Sequence, residues 1–365
     1  MVSFFRSNSA DPYARGQELG FAHGDAIMRN VKAYQAMFCA LAGGTFDLID
    51  PGERALRAIK KFAPELHREI VGIAEGANLD VRALGALNAR TEIMALLRST
   101  MRSECSVAIY LPKKAAPPIA VQTWDWYKSF SDGWLVWEIP QADGSVTKTV
   151  TEYGIVGKAG LNTRGLGLLF TILRHESDGD GIGVPVHVVA RAALDYGADI
   201  DMASTQICTA GVSASSSLNL VSYEDRTPRA MTIELCPAQA KVVLPDRNGL
   251  LFHTNHFLAG PLQKGDIGPL HAPDTFSRHE LLRRRTDPTT IRSSLDLVAV
   301  MNSHVDGVGL CCHADESIPF EDQQATLATI ALDVGVGVLS AYSSGPCEVM
   351  SKWPRPSDEW ATAKG

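Results

Sequence analysis

The sequence predicts a layered α+β protein with antiparallel sheets. Three observations carry this: helical periodicity through the first hundred residues, a switch near Cys105 to short β-rich runs, and few strands alternating with helices in the βαβ manner.

In the first part, Ile27, Met28, Val31, Tyr34, Met37, Phe38 and Leu41 recur at three- and four-residue steps. Leu56, Ile59, Phe62, Leu66, Ile70 and Ile73 do so again, and both sets read as amphipathic helices. Asp80 is placed to cap a third helix running through Leu84, Leu87, Ile93 and Leu96. From Ser103-Glu104-Cys105 onward the pattern becomes SVAIYL, PIAVQTWDW, WLVWEIP, KTVTEY, GLGLLFTIL, LNLVSY, AMTIELC, KVVLP, LLFHTNH, TLATIALDV and GVLSAY. Gly, Asp, Asn and Pro part these runs, as turns part antiparallel strands. VPVHVVARAALDYG and the stretches near 277–286 and 289–303 read as helices between them.

The 365 residues carry 34 basic and 41 acidic side chains, a formal net charge of −7 without a long single-sign run. That disfavours nucleic acid as a partner. No window approaches the ~18 uninterrupted apolar residues of a spanning helix, so no membrane insertion is expected. MVSFFRSNSADPYARGQ lacks the apolar stretch of a secretory signal, which makes a cytoplasmic location the expectation. Seven cysteines, scattered and without a CxxC, suit a reducing compartment. The sequence leaves the oligomeric state open.

Cys105 stands at the first position of the first strand, where the helical part hands over to it after the polar run Arg102-Ser103-Glu104. A lone cysteine is ordinarily core filler. Its company is what counts: SEC-SVAIYL, then IAVQTWDW, and later LLFHTNHF. This order resembles the isopenicillin N acyltransferase family of self-processing N-terminal nucleophile hydrolases. LNARTEI at 87–93, GLNTRGLGLLFTIL at 160–173, VPVHVVARAALD at 184–195 and ATLATIALDV at 325–334 extend the resemblance along nearly the whole chain. Departures are Glu104-Cys105-Ser106 for Gly-Cys-Thr, Gln122-Thr123-Trp124-Asp125 for Gln-Asn-Trp-Asp, and Cys311 and Cys312 where some members carry an Arg.

The resemblance implies a four-layer αββα sandwich cleaved between Glu104 and Cys105. Residues 1–104 would form a helical α segment that stays associated with a catalytic segment, 105–365, as one structural domain. It makes Cys105 the nucleophile, Asp125 an organiser of the new amino terminus and Asn255 an oxyanion donor. Trp124, Ser216 and Ser217, near Ser215 and Asn219, would contribute to the substrate wall. The substrate would be a small-molecule amide or acyl donor, and an acyl-coenzyme A donor stays open as substrate. No bound cofactor is expected. Non-catalytic use of the fold, and an amidase that never transfers acyl groups to amines, are the rival readings.

The chemistry is self-consistent. A thiol can attack the preceding carbonyl to form a thioester, which water then cleaves. The freed α-amino group has a pKa of ~7.7–8.0 and can serve as the base for its own thiol.

Other constellations are poorer. His253 and His256 flank Asn255, and on a strand they would face opposite ways. Cys311-Cys312-His313 with His304 suggests a metal, but adjacent cysteines project apart and no further pair completes the set, so none is expected. GVSAS at 211–215 lacks the second Gly of a nucleophile elbow, and GDGIG at 179–183 lacks GK[ST]. Arg283-Arg284-Arg285 reads as a solvated helix face. Arg90 and Arg191 are candidates for internal ion pairs with Glu92 or Asp195, or for anchors of a substrate carboxylate, the ion pairs being the favoured expectation.

Overall fold

A computed structural model describes residues 2–99, 104–113, 115–305 and 308–352. Arg102 and Ser103 of the expected processing region, and the side chain of Glu104, lie outside the described residues.

After β1 (Phe4–Arg6) the chain forms α1 (Pro12–Ala42), α2 (Ile49–Phe62), α3 (Pro64–Gly76), α4 (Val81–Asn88) and α5 (Arg90–Leu96). Next come β2 (Glu104–Tyr110), β3 (Ile119–Tyr127), β4 (Trp134–Pro140), β5 (Val146–Glu152), β6 (Ala159–Asn162) and β7 (Leu166–Ile172). Helices α6 (Val186–Tyr196) and α7 (Ile200–Cys208) precede β8 (Ser216–Glu224), β9 (Thr227–Cys236), β10 (Gln239–Val243) and β11 (Leu250–His253). The last part holds α8 (Gly260–Gln263), α9 (Gly268–His271), α10 (Asp274–Arg285), α11 (Ser294–Met301), β12 (His304–Val305), β13 (Val308–Gly309), β14 (Gln324–Asp333), β15 (Val338–Tyr342) and α12 (Pro346–Lys352).

Two of the expected helices are each divided. The run from Leu56 to Ile73 breaks at Ala63, because Pro64 cannot donate a helical hydrogen bond and opens α3 instead. The third breaks at Ala89. Asp80 caps α4 as expected, its carboxylate accepting from the Arg82 N–H.

Two sheets face each other. The larger has the order β1-β4-β5-β6-β7-β8-β9-β10, the smaller β11-β2-β3-β14-β15, and every pairing in them is antiparallel except β1 with β4. Strands β2 and β3 lie against β7, and β15 against β5 and β6. Helices α6 and α7 cover the larger sheet, and α10 and α11 cover the smaller one, giving the four layers αββα. Strand alternation sorts the side chains of β2: Cys105, Val107 and Ile109 join the core between the sheets, whereas Ala108 joins Val121, Leu297 and Met301 beneath the outer helices.

The first five helices share the larger core with the sheets. Two buried ion pairs, Glu69–Arg191 and Arg90–Glu152, tie them in. Glu69 of α3 bonds Arg191 of α6 through both oxygens at 2.9 Å and also takes the Nε–H of Arg15. Arg191 reaches Asp195 at 2.8 Å, the expected pair. Arg90 pairs with Glu152 of β5 at 2.8 Å rather than with Glu92, whose Oε1 instead accepts the Val186 N–H at 2.9 Å. A helix neighbour two residues away points elsewhere, so Glu92 cannot face Arg90 side by side.

Candidate active site

Cys105 is the second residue of β2, one place further in than the sequence suggests, because Glu104 already pairs with Asp125. Directly opposite on β3 stands Trp124, so thiol and indole share the face between the sheets. The thiol is almost wholly buried. Burial, and after it the charge of Asp125, pushes its pKa up to about 11, with Lys158 the largest influence pulling the other way.

Asn255 meets it from the loop after β11. Its Oδ1 accepts the Cys105 backbone N–H at 2.9 Å, while its Nδ2 donates to the Ile172 carbonyl at 2.9 Å. Two donors on one side and a carbonyl on the other fix which way the amide points. The loop is held in turn: the Asn255 N–H donates to Thr275 Oγ1 at 2.8 Å. Glu234 accepts from the Leu258 and Ala259 amides and bonds His253 Nε2 at 2.8 Å. His253 is thus a support for the loop. His256, beyond the end of β11, contacts Thr254 and Thr275, and burial presses its pKa down to about 3.

Arg278, which the sequence reading overlooked, completes the grip. From α10 its Nη1 donates to the Cys105 carbonyl at 2.9 Å and to Ser106 Oγ at 3.2 Å, and its Nη2 donates to Asn255 Oδ1 at 3.1 Å. Asp274, one turn earlier, holds its Nε at 2.8 Å. Lys158 is a second unforeseen neighbour. Its Nζ lies 3.6 Å from the centre of the Trp124 ring and 2.8 Å from Glu152. Burial lowers the Lys158 pKa to about 8 despite the pull of Glu152.

Asp125 points to the opposite face of β3 from Trp124, and its Oδ1 accepts from Thr326 Oγ1 at 2.5 Å. In the continuous chain it is Asn255, not Asp125, whose side chain takes the Cys105 nitrogen. Ser216 and Ser217 are buried on β8, opposite Ile172 and Thr171. Ser217 Oγ lies 2.7 Å from Thr171 Oγ1, which donates to the Thr254 carbonyl. The two serines therefore sit one strand behind Asn255. Beside Ile172 opens a cavity of about 250 Å³ whose walls include Thr91, Met94, Leu173, Arg174 and Ala214. A larger cleft, about 910 Å³, lies at the far end of β2 and β3, around Tyr110 and Ile119.

The rival metal cluster changes character. Cys311 and Cys312 do diverge, but Cys347 joins Cys311, His304 and His313, and their ligand atoms all lie within 4.8 Å of one another. Nothing in the spacing of the sequence marks Cys347. No helix among the described residues is long and apolar enough to cross a membrane.

Among curated proteins, the chain is 28% identical over 269 residues to the 40 kDa form of acyl-coenzyme A:6-aminopenicillanic-acid-acyltransferase from Emericella nidulans, covering 72% of each. Among solved structures it overlays an N-acylethanolamine-hydrolyzing acid amidase ortholog of Caenorhabditis elegans. There the identity is 12% and the TM-score 0.45, over 63% of this chain and 93% of that one. It also overlays the penicillin V acylase of Agrobacterium tumefaciens, at 13% identity and a TM-score of 0.45, over 66% and 83%. The family model for acyl-coenzyme A:6-aminopenicillanic acid acyl-transferase matches residues 112–345, and the chain belongs to that family.

Proposed function

We propose that the protein is a self-processing N-terminal cysteine hydrolase and acyltransferase that works through a Cys105 thioester. The observation that carries this reading is the double hold on the Cys105 residue: Asn255 on its nitrogen and Arg278 on its carbonyl oxygen. A core cysteine needs neither.

In processing, the thiol of Cys105 attacks the Glu104 carbonyl carbon, the C–N bond breaks, and the proton lost by sulfur goes to the departing nitrogen. Water then cleaves the thioester, leaving a carboxylate on Glu104 and a free amine on Cys105. Asn255 Oδ1, which accepts the Cys105 N–H in the continuous chain, would accept from that amine. In turnover the amine takes the thiol proton as sulfur attacks the substrate carbonyl, and returns it to the leaving group. A base is required, because a thiol pushed up to about 11 is not ionised at neutral pH. The second hydrogen of Asn255 Nδ2 is the candidate donor to the oxyanion. Asp125, tied to Thr326, acts on the charge of the new terminus. The substrate is a linear amide or acyl thioester, and the cavity beside Ile172, with Met94, Leu173 and Ala214, offers apolar wall for a short acyl group.

Purified protein should run as two bands on a denaturing gel, the larger beginning Cys-Ser-Val-Ala, and the two segments should co-elute in native chromatography. Cys105→Ala should give one intact band and no turnover. An active wild-type chain that stays intact, or activity surviving Cys105→Ala, would overturn the proposal.

A further inference from the structure

His304 opens the β12–β13 hairpin, Cys311 and His313 follow it, and Cys347 belongs to the first turn of α12. His304 Nε2 is 3.0 Å from His313 Nε2, which is 3.4 Å from Cys347 Sγ and 3.7 Å from Cys311 Sγ. We propose that these four side chains bind one zinc ion in a closed, tetrahedral Cys2His2 site that braces the segment between α11 and β14. The inference stands independently of the role given to Cys105.

Distances come first. With Zn–N of ~2.0–2.1 Å and Zn–S of ~2.3 Å, the edges of a tetrahedron run from about 3.3 Å between nitrogens to about 3.8 Å between sulfurs. The three separations given above fall within a few tenths of an ångström of these values. Hydrogen bonding alone accounts for the cluster poorly. One imidazole nitrogen offers a single hydrogen or a single lone pair, yet His313 Nε2 has three polar neighbours crowded on it. A cation at the centre would satisfy all four groups at once, drawing in the wider pairs of a cluster whose ligand atoms lie within 4.8 Å of one another.

Packing also favours the approach. A methyl group at Gly345 would lie 2.5 Å from Cys311 Sγ, so only glycine lets the turn before Cys347 come this close. The ligand chemistry, two thiols and two imidazoles without a carboxylate, suits zinc rather than magnesium or calcium. Four protein ligands leave no open position, which makes the site structural. Loading is balanced as Zn²⁺ replacing the two thiol protons, which go to solvent, so the occupied centre is neutral.

The gain lies in a region with little core of its own. Residues 313–322 are nearly all exposed, and regular structure there amounts to one short 3-10 turn. From this segment the Cys312 N–H donates to Thr326 Oγ1 at 2.9 Å, and the Cys312 carbonyl accepts the Thr326 N–H at 3.0 Å. The same hydroxyl donates to Asp125. The zinc loop would therefore set the backbone that positions the Thr326–Asp125 contact.

The test is metal analysis of the full chain, grown with zinc and purified without chelators. We expect about one zinc per chain, retained in Cys105→Ala and lost in Cys347→Ser and in His313→Ala. Cobalt exchanged into the wild-type protein should show the intense bands of a tetrahedral thiolate complex. That reading on the wild type decides the question even should a variant fail to fold. Zinc no higher in the wild type than in the variants, zinc lost with Cys105, or a Cys311–Cys347 disulfide in the native chain would each overturn the proposal.

Discussion

Arg278 and Asn255 converge on one residue: the guanidinium donates to Asn255 Oδ1 at 3.1 Å, and together they hold the carbonyl and the amide of Cys105. Each restrains the other. The rotamer of Asn255 is fixed from three sides, and Arg278 is fixed by Asp274 behind it.

Arg278→Lys tests the bidentate hold. Lysine keeps the charge but lacks the planar fork that reaches Cys105, Ser106, Asn255 and Asp274 together. Processing, followed as the rate at which the intact band disappears, should slow by roughly tenfold or more, with the circular dichroism spectrum unchanged. An unchanged rate would remove Arg278 from the site.

At Asn255, two substitutions separate its two jobs. Asn255→Ala should lower turnover by roughly 10²-fold or more. Asn255→Asp keeps an acceptor for the Cys105 nitrogen but has no N–H to give. If Asn255 serves the oxyanion, kcat of the Asp variant falls nearly as far as that of Ala. If it only holds the nitrogen, Asp should retain most activity.

Stability should depend on pH through Glu92. Burial raises its pKa from 4.5 to about 7, against the Val186 N–H that favours the charged form. The folded protein therefore binds the proton more tightly than the unfolded chain. Stability from this group is complete below pH ~4.5 and declines until the pH passes ~7, by about 3 kcal/mol in all. Glu92→Gln keeps the acceptor and removes the charge, so its denaturation midpoint should exceed that of the wild type at pH 8 and match it near pH 4.5.

Glu69→Met should be among the most damaging changes outside the site. It leaves the buried guanidinium groups of Arg191 and Arg15 to share the Asp195 carboxylate, a surplus of buried positive charge that costs about 3–5 kcal/mol. Adding Arg191→Met should recover part of the loss in urea unfolding, because the surplus charge goes with it and Asp195 is left to Arg15.

Eleven β-rich runs were legible because most of them bury their apolar residues, β10 being the exposed exception, and all eleven coincide with strands. Strands β1, β6, β12 and β13 were not, the last two being two residues each. Phe4–Arg6 spans three residues, and Ala-Gly-Leu-Asn of β6 has neither length nor bulk, so only its neighbours on both sides make it a strand. Cys105, Trp124 and Asn255 could be read because short motifs carry them. Arg278 could not, since it sits in SRHELLRRR among arginines of the same chemistry. What separates it is burial: it is wholly enclosed, whereas Arg283 and Arg284 pair with Glu280 in solvent. Cys347 is equally silent, being 34 residues beyond His313 and brought back only by the β14–β15 hairpin.

The pairs Glu69–Arg191 and Arg90–Glu152 each take one partner from before Cys105 and one from after it. Two polypeptides synthesised apart would have to expose these ions to water and then strip that water away on docking. Reassembly from separate halves should accordingly be slow or incomplete, and such a protein is best made as one precursor and divided only after its interior has closed.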